Sequence, residues 1–325
     1  MAKLKNIVSY YRRINIIGEE IAPLADTNKY KIMFDFIKCY LRYGADEEDY
    51  RALELYKKSS FERKKFTTAK KNYIYLYRNH SSSCDKDTFD SKIIFNSEYS
   101  DLLKRKWIST KNHSLDQINA FIDELGEVIV KEDFGMQGIG IYKLKSSDSD
   151  KRNNLMLSIR NNNHYVIEEL IIQHPDMAYF NDSCVNTCRV ETITDKAGKA
   201  HIVNTVLITG GKGSSISNTH SGGVMVHIEP ETGVLDSKGR NPEGKLFNVH
   251  PGTGVQLLGR KIPYWNEVKE LAVQLAERRP TARYIGWDIS ITEGGPEVIE
   301  GNLRPGHCTQ SCDMVGRWPL IKKYL

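Results

Sequence analysis

An α+β fold with mostly antiparallel sheets is what this 325-residue sequence predicts, on two observations. The first hundred residues repeat their apolar side chains at helical spacing. Further on, short β-rich runs follow one another in hairpin-like succession with few helices between them. That order favours antiparallel pairing over a doubly wound parallel sheet. The length suffices for one large domain or two or three modest ones.

Taken in order, TNKYKIMFDFIKCYLRYG is apolar on one helical face and stops at Gly44. ADEEDYRALELYKK opens with acids and closes with lysines, as the helix dipole prefers. SSSCDKDTFDSK, residues 81–92, is the most loop-like stretch and is expected to mark a boundary. IIFNSEYSDLLKRKW reads as helix again. SLDQINAFIDELG is a short helix with Ser114 as N-cap and Gly126 as its stop. EVIVK and GIGIYKL are strands around the loop EDFGMQ. HYVIEELII, NTCRVETIT, AHIVNTVLI and GGVMVHI are further strands, separated by turn sequences such as DKAGK and EPETG. WNEVKELAVQLAERR is an amphipathic helix, and YIGWDISITEGGPEVIEGN closes the series as a hairpin.

Charge and composition narrow the function classes. The net charge of +5 leans slightly towards anionic ligands but lacks the dense basic patch of a dedicated nucleic-acid binder. Residues 1–13, MAKLKNIVSYYRR, are locally basic; an anionic membrane surface and plain solvation are the two readings. No run has transmembrane length and the start lacks a secretory apolar segment, so a cytoplasmic protein is expected. Cys184/Cys188 and Cys308/Cys312 are spaced as some zinc ligands are, yet six cysteines are sparse for a disulfide scaffold, and free thiols are expected.

Four stretches carry candidate chemistry. In the closing hairpin, Asp288 and Glu300 stand six residues either side of Gly294, so they face each other across the strands, with Asn302 on the same face. Facing like charges destabilise a strand pair, and oxygen-only donors suit a hard cation such as Mg²⁺. Solvated surface acids are the plainer reading. In VKEDFGMQGIGIY, Lys131 closes an apolar strand before a glycine-containing loop, which is either a phosphate cradle or an ordinary hairpin loop. In YVIEELII, Glu168 and Glu169 interrupt an apolar run, as in an edge strand or an adenine-binding hinge. In NTCRVET, Arg189 shares a face with Thr187 and needs an anionic partner, whether a structural carboxylate or a ligand. GMQGIG lacks the strand–loop–helix context of the dinucleotide motif, DFG lacks its kinase companions, and GGKGSS is not a P-loop.

In this order the pieces resemble the ATP-grasp superfamily, most closely its sugar-transfer-associated branch. The resemblance covers roughly residues 85–310 and rests on TFDSKIIFNSEYSDLLKRKW, VKEDFGMQGIG, YVIEELIIQHP, SCVNTCRVET, NTHSGGVMVHIEPETGVL, HPGTGVQLLGRKIPYW and GWDISITEGGPEVIEGNLRPG. It implies a helical region over 1–90 followed by an ATP-grasp domain over 91–325. Within that domain it implies a nucleotide-cradling lobe at about 107–170 and a metal and acceptor lobe at about 171–325. It further implies ATP and Mg²⁺ as cofactors. Lys131 and, further upstream, Lys92 would meet the phosphates, and the loop bearing Gly135, Gln137, Gly138 and Gly140 would fold over them. Glu168, Glu169, Leu170 and Ile171 would form the adenine hinge. Asp288, Glu300 and Asn302 would hold the metal, and Arg189 would sit near the γ-phosphate.

Asn218, His220, Gly222, Gly223 and Arg304 are the acceptor candidates; His220 and His250 read equally as structural loop histidines. Glu132 departs from the family's usual lysine–proline strand ending and, with Asp133, would put two acids beside the phosphate loop. The activity implied is a carboxylate–amine ligase working through an acyl phosphate on a small-molecule or glycan-linked acceptor. Phosphotransfer to a hydroxyl and a non-catalytic nucleotide-binding scaffold are the alternatives.

Overall fold

Helical periodicity near the N-terminus becomes a helical layer in the computed structural model. The structure describes residues 2–135, 139–211, 213 and 222–325, with side chains from residue 9 onward except that of residue 307. α1 (Ala2–Ile21) and α2 (Lys29–Tyr43) run antiparallel, with Lys29 beside Glu19 and Tyr10 beside Tyr40. Gly18 permits the approach, since a Cβ there would lie 2.7 Å from Met33 Cγ. Asn28 caps α2, and Gly44 ends it with φ +67°. Ile14, Ile17, Phe36, Tyr50 and Leu53 form the core of this layer. α3 (Glu47–Ala52), α4 (Ser60–Arg63) and α5 (Ala69–Lys71) follow, and α5 runs directly into a wider π-helical stretch over 72–78.

Two sequence expectations fail next. Residues 81–92, read as a loop, form α6 (Ser83–Asp90) and begin α7 (Lys92–Glu98). Ser82 and Asp85 cap α6 reciprocally, and Asp85 is buried because Arg279 and Thr281 donate to it at 2.6 and 2.8 Å. Its partners lie almost two hundred residues away, so locally it counts only as loop-like polarity. IIFNSEYSDLLKRKW is helical only as far as Glu98. The chain beyond is drawn out by distant acids: the Lys104 N–H donates to Glu297 and the Lys106 N–H to Glu169.

The smaller sheet has the order β1 (Trp107–Ser109), β4 (Tyr165–Glu169), β2 (Glu127–Glu132), β3 (Ile141–Lys145), all antiparallel. α8 (Leu115–Leu125) and α9 (Ser149–Arg160) cover one face, burying Ile118, Ile122, Val128, Val130 and Leu144. β4 is thus an interior strand, and the edge-strand reading of YVIEELII is wrong. α9 escaped sequence analysis because its residues are mostly polar, with Leu155 alone fully buried.

After α10 (Pro175–Ala178) comes a seven-stranded sheet built of β5 (Thr187–Thr194), β6 (Ala200–Ile208), β7 (Met225–His227), β8 (Gly239–Arg240), β9 (Leu246–Phe247), β10 (Tyr284–Thr292) and β11 (Gly295–Asn302). Its order is β11-β10-β5-β6-β7-β8-β9. α11 (Trp265–Arg278) covers one face, packing Val268, Ala272 and Leu275 with Trp287, Ile289, Val190 and Leu207, while Phe95 of α7 and Tyr99 just after it complete this core. α12 (Trp318–Tyr324) ends the chain. The six cysteines form no disulfide; Cys84 is exposed and the others are buried.

β10 and β11 explain how the hairpin places its acids. Near the turn the register is Thr292 with Gly295 and Ile289 with Val298; an unbulged ladder would then pair Asp288 with Ile299. A bulge between Asp288 and Ile289 leaves Ile299 as the extra residue on β11, so Asp288 meets Glu300. The symmetric count about Gly294 therefore gives the right pair, but for a reason the hairpin does not have. Between the two site residues of β11, Gly301 lets the rings of Phe89 and Trp287 close over the strand, since a Cβ would lie 2.7 and 2.8 Å from them. Gly301→Ala is expected to destabilise the protein by about 1–3 kcal/mol through overpacking, read from the midpoint of denaturant unfolding.

Candidate active site

The face of the large sheet opposite α11 brings Arg189, Asp288, Glu300 and Asn302 together. Arg189 of β5 lies directly across from Asp288 of β10, and Asp288 directly across from Glu300 of β11. The Arg189 guanidinium grips Asp288 in two places, Nε on Oδ1 and Nη2 on Oδ2, the latter at 2.7 Å. The anionic partner expected for Arg189 is thus Asp288, and the protein's own cation already compensates one of the facing acids. Burial raises the pKa of Glu300, and the Asp288 charge raises it further, against the pull of Arg189, Lys131 and Lys92. The Asn302 amide nitrogen lies 3.4 Å from both carboxylates.

The small sheet contributes Lys131 and Glu168 on its face away from α8. Lys131 Nζ donates to Glu168 Oε2 at 2.6 Å. Glu168 also accepts from Asn96 at 2.7 Å and lies 3.1 Å from Arg105 Nε. Burial opposes ionisation of Glu168, but Arg105 and Lys131 outweigh it and hold the carboxyl well below its usual range. Arg105 is 3% exposed and also donates to Glu297 at 2.6 Å and to the Val298 carbonyl, both on β11. It ties the two sheets together, and sequence reasoning missed it. The signal available was a lone arginine in a lysine-rich run, which looks like surface charge.

Lys92, the first residue of α7, donates to the Gly135 carbonyl at 2.8 Å. Burial lowers its pKa, with Glu300 the chief opposing charge. Asp133 is buried and does not lie open beside the loop: Ser91 Oγ and the Ile93 N–H donate to it at 2.7 and 3.0 Å, fixing the start of α7. Glu132 is exposed and lies against Gly140, whose φ of +75° no larger side chain would fit beside it. The two acids expected beside the phosphate loop thus differ: Glu132 is exposed, and Asp133 is buried in hydrogen bonds. Arg105 joins Glu168 of the small sheet to β11 of the large one, and Asn96 of α7 donates to the same Glu168, so both sheets and α7 meet at one site. The charges of Lys92, Lys131 and Arg189 all act on Glu300.

Glu169, Leu170 and Ile171 are partly exposed on the segment leading from β4 towards the large sheet. That segment reaches β10 where Gln173 bridges Thr292 and the His174 N–H donates to Ile291. Gly222 and Gly223 lead into β7, Gly222 with φ +83°. Arg304 is exposed and lies over the rings of Tyr73 and Tyr77, at 5.6 and 5.3 Å. Gln137, Gly138, Asn218 and His220 lie outside the described residues. His250 is fully buried: Nδ1 accepts from the Gly252 and Thr253 N–H groups, while Nε2 meets Thr209 and the Gly210 carbonyl. That makes it a structural pin.

The donor set around Asp288 fits a hard cation. Two carboxylates and one amide offer oxygen only, and an amide flip would bring the Asn302 carbonyl to the same point. Among the described residues no three His, Cys, Asp or Glu side chains converge as a metal group, so a cation here needs further oxygens from its ligand.

Residues 88–323 match the family described as sugar-transfer associated ATP-grasp. The chain belongs to that family. Similar solved structures include D-alanyl-alanine synthetase A from Vibrio cholerae O1 biovar eltor (16% identity, 70% of this chain and 60% of that one, TM-score 0.44). Another is the ATP-grasp ligase PsnB complexed with minimal precursor (18%, 72% and 61%, TM-score 0.43). A third is phosphoribosylamine–glycine ligase from Thermotoga maritima (13%, 73% and 54%, TM-score 0.47). This ATP-grasp chain thus spans about 60% of the length of the first two. No curated protein matches it. All three likenesses stay below a TM-score of 0.5, so the family match carries the assignment. Within it, the two antiparallel sheets and the N-terminal helical layer are those described above.

Three measurements test the electrostatics of this ATP-grasp site. Glu168 has a depressed pKa, so its stabilisation is complete above the unfolded carboxyl value of about 4.3 and is lost as pH falls towards its folded value. Glu168→Gln should flatten that acid limb of stability against pH. Arg105→Met, which leaves two buried carboxylates, should cost about 3–5 kcal/mol in denaturant unfolding. Glu300 has the opposite sign: its penalty grows as pH rises through about 4.3 and is complete above its raised folded value. Metal-free Glu300→Gln should therefore melt higher than wild type at neutral pH; a lower midpoint would contradict the burial argument.

Proposed function

We propose that the chain is a Mg-ATP-dependent carboxylate–amine ligase. The observation that carries this reading is the meeting of Lys92, Lys131 and Arg189 with Asp288, Glu300 and Asn302 between two antiparallel sheets, in a chain of the ATP-grasp family. In this reading residues 91–325 form the catalytic unit, with the nucleotide held by the lobe at about 107–170. Lys131, steadied by Glu168, and Lys92 neutralise phosphate oxygens. Glu168 to Ile171 offer backbone groups to the adenine edge. Asp288, Glu300 and Asn302 hold Mg²⁺, which when bound supplies charge neutralisation on the phosphate oxygens.

The acceptor's carboxylate takes the terminal phosphoryl group of ATP, releasing ADP. An amine nitrogen then displaces phosphate from the acyl phosphate, forming the amide and losing a proton. Arg189, fixed by its two contacts to Asp288, places a guanidinium beside the transferred group, where negative charge moves in the transition state. Arg304, with its guanidinium free of carboxylates among the described residues, is offered to an anionic acceptor. In this reading the acceptor is a sugar acid, amino sugar or amino acid of surface-polysaccharide assembly, and the sugar-transfer association in the family's description is what supports the sugar context.

Excess ATP with Mg²⁺ should raise the unfolding midpoint of wild type by several degrees. At about a hundred times Kd, ligand stabilises by about 2.7 kcal/mol. Glu300→Ala should lose the Mg²⁺-dependent part of that shift. Release of free phosphate only when carboxylate and amine are both supplied marks the ligase; a phosphorylated hydroxyl product would replace it with phosphotransfer. No shift in wild type would remove the enzyme reading.

A further inference from the structure

The first 44 residues hold eight lysines and arginines against four acids, a net +4 of the chain's +5. Three of those acids are already occupied: Asp35 with Arg63, Glu19 with Lys29 and Glu20 with Arg51. The outward face of α2 carries none of the four. At 100° per residue, Ile37, Tyr30, Leu41 and Phe34 fall side by side as one stripe, and Lys38, Lys31 and Arg42 line its edge. Tyr30, Phe34 and Leu41 are 63%, 71% and 73% exposed, although residues of this kind usually belong in a core. Among the described residues, Lys31, Lys38 and Arg42 have no carboxylate in ion-pair range.

We infer that this face of α2 docks the protein on an anionic lipid surface. A protruding aromatic and aliphatic stripe with cations along its margin is the form of a helix lying in a membrane interface. Its apolar side chains enter the acyl boundary while the lysine and arginine stems reach back to the headgroups. The surface offers a partner helix no seat: the shallow depression of about 390 Å³ there is lined only by Phe34, Ile37, Lys38, Leu41 and Arg42, all from this one helix. A second copy fits poorly as well, because pairing two such faces doubles the cations around the patch without bringing an acid to it. No helix among the described residues is long and apolar enough to cross a membrane, so the attachment is peripheral. It makes no use of the nucleotide site.

The test is co-sedimentation of the full chain with vesicles of phosphatidylcholine alone or mixed with phosphatidylglycerol. Wild type should bind only the anionic vesicles, and binding should fall as salt rises. Lys31→Gln/Lys38→Gln/Arg42→Gln should bind about a hundredfold more weakly, and Phe34→Ser/Leu41→Ser at least tenfold. Since all five side chains are exposed or edge positions, both variants should keep the wild-type unfolding midpoint and its response to Mg²⁺ and ATP. The inference is overturned if wild type ignores anionic vesicles, binds neutral ones equally well, or loses nothing in the charge variant. A concentration-dependent dimer dissolved by Phe34→Ser/Leu41→Ser would overturn it in favour of self-association.

Discussion

The guanidinium of Arg105 divides its hydrogen bonds between two sheets, and the placing of Lys131 relative to the closing hairpin depends on that division. Towards the small sheet it meets Glu168, which in turn holds Lys131; towards the large sheet it meets Glu297 and the backbone of β11, three residues before Glu300. A charge this deeply buried is tolerated only because two carboxylates and backbone carbonyls satisfy it together. Such a network supplies fixed geometry more than raw stability, since a well-packed apolar replacement is often no worse energetically. Here the geometry is what matters: Lys131, proposed to meet phosphate, and β11, which carries the acids proposed to hold a metal, are joined through one side chain.

The acids of the hairpin follow a different logic. Asp288 is matched by Arg189 across the ladder, whereas Glu300 is left half-compensated, in the field of Lys92 and Lys131 but without an ion-pair partner of its own among the described residues. A half-compensated buried acid is a cost in the free protein and an asset to a cation. Structure and stability therefore pull in opposite directions at this residue, as they do where a site is kept ready for its ligand.

The N-terminal helical layer is fastened to the strand ends of the large sheet. Gln310 exchanges hydrogen bonds with the Thr67 backbone in both directions, Asn72 donates to the Pro305 carbonyl, and Arg304 lies over Tyr73 and Tyr77. The loop after Asn302 is thus shaped by residues from the first quarter of the chain.

How much of this was legible in advance depended on the range of the interactions. Strong periodicity placed α2, α8, α11 and the main strands, because burial of one face is a local pattern. Alternation along the closing strands put Asp288, Glu300 and Asn302 on one face, and the ordered motifs pointed to the ATP-grasp family. What the sequence did not disclose was set by partners far along the chain. Asp85 became a helix cap rather than loop polarity because Arg279 reaches it. Asp133 became the anchor of α7 rather than an open acid, and Glu168 a buried counter-ion rather than an edge residue. Arg105 drew its whole meaning from strands that begin after it. Local hydrophobic pattern, a short-range property, determined the elements and the residue types of the site. The pairing of each buried charge was decided by tertiary structure alone, because a charge leaves water only where the fold brings its partner.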